Sequence, residues 1–202
     1  MGVSERREQE RHERIQSILE AALRVFAREG LRPATIEEIA HEAQLGKGTI
    51  YYYFSSKEAL LEELVANLSD EYFRGLLAGA AGHETPLAIA QGIIEQLIEH
   101  YRRRPELFRV IHMVLGEPEP RPQNALQTFV ESHLGWIENL KAETAGVLQS
   151  HDVPEDAFLY LVSTFSHGVL FEAVSGRDPD RLLAETRTAL EAFLASFSGA
   201  TS

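Results

Sequence analysis

The chain contains no cysteine, so it has neither a disulfide framework nor a thiolate metal site. No apolar run approaches the length a bilayer-spanning helix needs. The first residues, MGVSERREQERHER, are charged rather than signal-like. The expectation is a soluble, cytoplasmic protein with no membrane partner. No stretch alternates polar and apolar residues as a half-buried strand does, so the fold class is all-α. A Gly-rich phosphate loop, a nucleophile elbow and a paired-carboxylate motif are all missing. No catalytic residue and no cofactor are therefore assigned. There are eight histidines, but none stands in a His-x-x-x-His pattern, and no metal site is expected.

Positive charge is scarce. The sequence has 19 Lys and Arg against 31 Asp and Glu, a net charge of -12. The imbalance is not spread evenly. Residues 1–57 hold nine of each sign, so the whole acidic excess lies after Lys57. A balanced head on an acidic body orients the head toward a polyanion and holds the body off it. It also limits non-specific affinity, because few phosphates can be neutralised. With 202 residues, 44% of them hydrophobic, the chain can bury a large core in one or two domains.

The densest local signals lie between Thr35 and Lys57, TIEEIAHEAQLGKGTIYYYFSSK. Thr35 with Glu38 has capping-box spacing and predicts a helix from Ile36. Ile36, Ile39, Ala40 and Ala43 share one face. Gln44-Leu45-Gly46 breaks the pattern as a turn. A second helix, Lys47 to about Tyr53, is too short to stand alone and needs Ile50 and Phe54 as inward anchors. Its outward residues are Lys47, Gly48, Thr49, Tyr51, Tyr52 and Tyr53. Lys and Tyr reach phosphates, while Thr and Tyr can touch base edges. Ser55 and Glu58 repeat the capping-box spacing, predicting a long helix from Ser55 to about Leu77 with Lys57 in its first turn. A cation beside helix N–H groups suits a phosphate.

These residues carry a resemblance. The run from Ile18 to Leu61 is similar to the N-terminal DNA-binding domain of the TetR family of transcriptional repressors. The similarity includes Ala21, Ala22, Phe26 and Gly30, the Thr35 cap, Ile39-Ala40 with Ala43, Lys47 through Phe54, and Ser56-Lys57-Glu58. It covers 44 residues without a gap. Gln44 stands where the family often has glycine, and glutamine is less at ease in a left-handed conformation. The resemblance implies a three-helix helix-turn-helix domain over residues 1–56. A helical ligand-binding and dimerisation domain over 57–202 follows it, with about nine helices in all. It also implies a homodimer on a palindromic double-stranded DNA operator, with Thr35, Lys47, Gly48, Thr49, Tyr51, Tyr52, Tyr53 and Lys57 at the DNA. Arg6 and Arg7 either reach the minor groove or belong to a solvated helical extension.

The rest of the chain reads as helices. They cover Ile15–Arg28, Pro86–Arg103, Pro105 to about Leu115, Gln123–Ser150, Pro154–Ser175 and Arg181–Phe197. Loops are expected at Gly79–Thr85 and Gly116–Pro122, and a loose tail from Ser198. Pro154–Ser175 is apolar on nearly every side, more than one core absorbs. Pairing with the final helix across a two-fold axis accounts for it, with Phe165, Gly168, Leu190 and Phe193 at the seam. The resemblance further implies a small-molecule effector, and the large apolar residues with sparse polar ones after Pro86 point to an apolar or amphipathic one, such as a fatty-acyl compound or a hydrophobic drug. Tyr101, Phe108, Ile111, His112, Phe129, His133, Ile137, Phe165 and Phe171 are the candidate lining. Core filling accounts better for any one of them taken alone, and His133 is first a satisfied core histidine and second a polar contact in the pocket. The expected function is a ligand-released, DNA-binding transcriptional repressor. A helical enzyme or a binding protein using the helix-turn-helix for packing alone is the alternative.

Overall fold

The computed structural model describes residues 3–116 and 122–198. Residues 117–121 of the expected Gly116–Pro122 loop, the chain after Ser198 and the Phe197 side chain lie outside the described residues. Nine α-helices and no strand occur among those described. They are α1 (Val3–Glu29), α2 (Ile36–Glu42), α3 (Lys47–Tyr53), α4 (Lys57–Ala80), α5 (Pro86–Arg103), α6 (Pro105–Gly116), α7 (Gln123–Ser150), α8 (Glu155–Val174) and α9 (Pro179–Ser198). By internal contacts the chain forms two compact units, Met1–Leu68 with Arg109–Phe129, and Ser69–Phe108 with Val130–Ser202. The packing unit that holds the head thus includes more chain than residues 1–56.

In the first unit, α1 buries Ile18, Ala22, Val25 and Phe26. It ends at Gly30, whose positive φ of 93° and N–H to the Phe26 carbonyl close the helix. The N-terminal mixed-charge run is helical from Val3, and there Glu10 pairs with Arg6 at 3.0 Å. Thr35 caps α2 through a complete capping box. The far end of α2 closes by a Schellman pair: Leu45 N–H bonds to the Ala40 carbonyl and Gln44 N–H to that of His41. Gln44 takes the left-handed position at φ 56°. The start of α4 differs from expectation. Ser56, not Ser55, is its cap, accepting the Ala59 N–H at 3.1 Å, and the helix begins at Lys57. Glu58 turns to its own backbone N–H and to the Ser56 hydroxyl, which hold its carboxyl below the usual range.

The second unit is built on α5, which buries Ile93, Ile94, Leu97 and Ile98 against α8 and α9. Thr85 caps it ahead of Pro86. α4 runs to Ala80, through Gly79, rather than stopping at Leu77. Gly79 meets Gly92 of α5 so closely that a Cβ on Gly92 would lie 2.1 Å from the Gly79 carbonyl oxygen. These glycines are a helix crossing, which a loop reading of Gly79 missed. Helix α8 also departs from the sequence reading. By length and composition it is the one helix among the described residues apolar enough to cross a membrane, at mean hydropathy 1.4. Part of it is buried on α5 and α9, and Tyr160 and Phe171 face outward at 75% and 56% exposure.

Gln44 generates a prediction. A non-glycine residue in the left-handed region costs about 1–2 kcal/mol, partly offset in glycine by about 0.5–1 kcal/mol of chain entropy. Gln44→Gly is expected to raise unfolding stability by about 0.5–1 kcal/mol in urea or thermal melts. A loss of stability would mean that the glutamine side chain itself holds the turn.

Candidate DNA interface

Helix α3 has seven residues and buries one of them fully, Ile50. Phe54, just beyond its end, is the second anchor. Everything else on α3 is available outward. Tyr52 is 80% exposed and Tyr51 47%. Tyr53 is half-buried, edge-on to Tyr52 with ring centres 5.0 Å apart and beneath the Arg11 guanidinium at 5.9 Å. Thr49 is half-buried, its N–H bonded to the Gly46 carbonyl. A Cβ on Gly48 would meet nothing within 4 Å, so packing inside the chain does not account for that glycine. The open space leaves its backbone accessible from outside.

Lys47 is already engaged. Its ammonium pairs with Glu37 of α2 and lies 5.7 Å from the centre of the Tyr51 ring. The Lys47 hydrogen bond holds the Glu37 carboxyl below its usual range, and the same bond raises the lysine. Both groups are solvent-exposed, so this pair is weak and exchangeable. A phosphate oxygen can replace Glu37 at no geometric cost to α3.

Two expected DNA contacts are spent inside the chain. The Thr35 N–H and hydroxyl both donate to Glu38 Oε2 at 2.8 Å, and the hydroxyl oxygen accepts the Glu38 N–H. No donor of Thr35 is left for phosphate, and its role is the cap. Lys57 donates to the carbonyls of Leu31, Arg32 and Ala34 at 3.0, 2.9 and 2.9 Å. Three protons meet three acceptors, so this ammonium is not aimed at a phosphate.

The residues expected to line an effector pocket do not form one set. Ile111, His112 and Phe129 belong to the first unit, and Tyr101, Phe108, His133, Ile137, Phe165 and Phe171 to the second. In the second unit Tyr101 donates to the Ala173 carbonyl at 2.8 Å and packs edge-on against the buried Phe108. His133 sits in a ring cluster with Phe73 and Trp136, all centres within 5.7 Å of one another. Its Nε2 is 3.2 Å from the Ser163 hydroxyl, and His167 stands edge-on at 5.2 Å. Burial pushes His133 down, and the nearby His167 adds to this. Phe73 comes to this cluster from α4, and helical spacing alone does not mark it as a ring partner. Ile137 is half-buried. Phe171 is exposed and cannot line an interior site. At the end of α5, Arg102 pairs with Asp180, Arg103 with Glu99 and Arg104 with Glu71, so each of the three adjacent arginines meets a carboxylate. Of the seam residues, Phe165 and Gly168 line an open groove of about 370 Å³ between α8 and α9, and Phe193 is exposed. Leu190 is buried within its own unit, on the side facing Gln91 and Ile94, and its side chain is unavailable to a partner.

Comparison with known proteins agrees with the architecture. Residues 18–64 match the family model for bacterial regulatory proteins, tetR family. The HTH-type transcriptional regulator YuxN of Bacillus subtilis is 33% identical over 87 residues, 41% of this chain and 30% of that protein. The HTH-type transcriptional repressor KstR2 of Mycobacterium tuberculosis is 30% identical over 95 residues, 46% of this chain and 48% of that one. The chain thus spans less than half the length of these two relatives. Among solved structures, the transcriptional regulator FadR from Bacillus subtilis in complex with stearoyl-CoA superposes with a TM-score of 0.68. It is 18% identical, covering 87% of this chain and 96% of that one.

The Lys47–Glu37 pair generates a prediction. Glu37→Gln removes a carboxylate that competes with phosphate for Lys47. DNA affinity is expected to rise about threefold to tenfold in gel shifts at fixed salt, a change of about 0.7–1.4 kcal/mol. A fall in affinity would place Glu37 itself at the DNA.

Proposed function

We propose that this chain, a member of the tetR family of bacterial regulatory proteins, is a ligand-responsive transcriptional repressor acting in the cytoplasm on a two-fold operator. The observation that carries the reading is α3, a helix anchored from behind by Ile50 that presents Tyr51, Tyr52, Lys47 and an open backbone at Gly48. α3 lies in the major groove. Lys47 exchanges Glu37 for a phosphate, Gly48 brings its backbone to the sugar–phosphate chain, and Thr49, Tyr51 and Tyr52 meet base edges. Tyr53 stands at the groove wall. A homodimer then reads half-sites about one helical turn apart. Likeness to a curated repressor over 95 residues supports the direction of control.

Dimerisation is assigned to α8 and α9. Tyr160, Gly168 and Phe171 mark the open face of α8, and Phe193 that of α9. An exposed apolar face on an otherwise buried helix suits an isologous contact. The effector is assigned to the second unit. Tyr101, Phe108, His133 and Ile137 are its candidate partners, with Phe73 and Trp136 added. Three buried polar atoms there have no hydrogen-bond partner among the described residues: Ser69 Oγ, Trp136 Nε1 and Ser166 Oγ. Orphaned donors of this kind beside an aromatic cluster suit an apolar molecule with a hydrogen-bonding head. A regulator of the same fold bound to stearoyl-CoA supports an amphipathic acyl compound. A tenfold release of operator takes about 1.4 kcal/mol of differential binding between the two conformations.

The chain has one tryptophan, so its emission reports this site directly. The test is to select an operator from a random duplex library, then titrate stearoyl-CoA, palmitate and an aromatic drug while following Trp136 emission and gel shift together. One of them is expected to change the emission and release operator over the same concentration range. A compound that shifts the emission yet leaves operator affinity unchanged refutes the coupling, and failure of the library to yield any operator refutes the DNA-binding reading. Phe193→Glu is expected to sediment as a monomer and to lose at least tenfold in operator affinity. A wild-type protein that is monomeric at micromolar concentration would sink the dimer.

A further inference from the structure

Lys57 is the first residue of α4, and its side chain reaches back across the first unit to the turn between α1 and α2. There the ammonium meets three carbonyls, those of Leu31, Arg32 and Ala34. This turn follows the helix-ending Gly30, and its carbonyls have no helical N–H to receive. Leu31 and Ala34 are buried, so carbonyls left unpaired there would be costly. An ammonium supplies three donors and a positive charge at a point where several backbone dipoles present their negative ends.

We propose that Lys57 is a positioning residue for DNA reading: a cationic staple that fixes where α2 starts and, through α2, where α3 points. The turn it holds ends at Ala34, and the next residue, Thr35, caps α2. α2 carries Glu37, which pairs with Lys47 at the first position of α3. One side chain at the head of α4 thereby sets the register of both helices of the helix-turn-helix motif. This inference rests on the DNA-binding reading above, and it replaces a phosphate contact by Lys57 with an indirect role.

Lys57→Met keeps the aliphatic stem and removes all three donors. Lys57→Arg keeps the charge, but its planar fork cannot converge on three carbonyls arranged around one nitrogen. For each variant the measurements are operator affinity across a salt series, affinity for random duplex, and amide exchange in α1 and α2. The staple predicts at least tenfold weaker operator binding by both variants, and random-duplex binding within twofold of wild type. It also predicts an unchanged salt slope, and amides of 36–43 exchanging at least tenfold faster while those of 18–27 stay protected. A phosphate contact predicts the reverse: parallel loss on both DNAs, a salt slope lower by about one unit for Lys57→Met, and rescue by Lys57→Arg. That pattern overturns the proposal, as does unchanged exchange in α2. Should Lys57→Met fail to fold, Lys57→Arg decides between the two patterns. If wild type binds no operator, the function assigned above fails, and the exchange data alone then judge the staple.

Discussion

A seven-residue helix with one fully buried side chain cannot hold itself together in water, and the first unit is arranged around that deficit. Forming one helical turn fixes several residues for a single hydrogen bond, so α3 exists because its surroundings impose it. Ile50 and Phe54 anchor it to the core. α2 supports it from the side, and α2 is itself only seven residues long. The support is therefore passed backwards. α2 depends on its two caps, the Thr35–Glu38 box at one end and the Gln44 Schellman turn at the other. The turn before Thr35 depends on Lys57. The two long helices, α1 and α4, are the parts with enough buried surface to be stable in their own unit.

Most of that chain of support was legible in the sequence, because each link is local. Thr35 and Glu38 are three residues apart, and a capping box needs nothing else. The break in the apolar pattern marked only a turn over Gln44-Leu45-Gly46, and it was the resemblance, with glycine common at this position, that pointed to Gln44 as its left-handed residue. Ser55 and Ser56 show the limit. Both precede an acidic residue at a workable distance, and only the three-dimensional choice of which hydroxyl faces the Ala59 N–H separates them. Lys57 shows a different limit. Its partners lie 23 to 26 residues away, and backbone carbonyls leave no mark in a sequence. A lysine in a first helical turn reads as an anion site because the local view sees the helix N-terminus and misses the turn.

The second unit was legible in outline and not in detail. Apolar periodicity located α5 and α9 because burial on one face forces it, and α8 stood out by being apolar on nearly every side. The same periodicity cannot say what a buried face meets. Leu190 and Phe193 sit three residues apart on α9 and looked alike, yet one is buried in its own unit and the other is exposed. Gly79 and Gly92 were invisible as a crossing, since each is explained by its absent Cβ only when the other is known. Trp136, Phe73 and His133 stack from two helices, and the ring types alone did not predict it.

Charge then decides how a head with no net charge can hold a polyanion. Several cations of the first unit are committed: Arg6 to Glu10, Arg24 to Glu42, Arg28 to Glu29 and Glu42, Lys47 to Glu37, Lys57 to carbonyls. Binding phosphate through any of the ion-paired side chains exchanges one anionic partner for another. The carboxylate left behind then stands near the DNA and repels it. Such exchanges yield little net electrostatic energy, in contrast to a basic surface that releases counterions freely. In the DNA-binding reading proposed above, affinity rests more on contacts that depend on exact placement, namely the α3 backbone at Gly48 and the exposed Tyr51 and Tyr52 side chains. Contacts of that kind are lost when α3 tilts slightly, whereas a diffuse positive field is not. On the proposed reading, a head built this way gives up non-specific grip and gains sensitivity to the position of α3, the property that release by a small conformational shift would require.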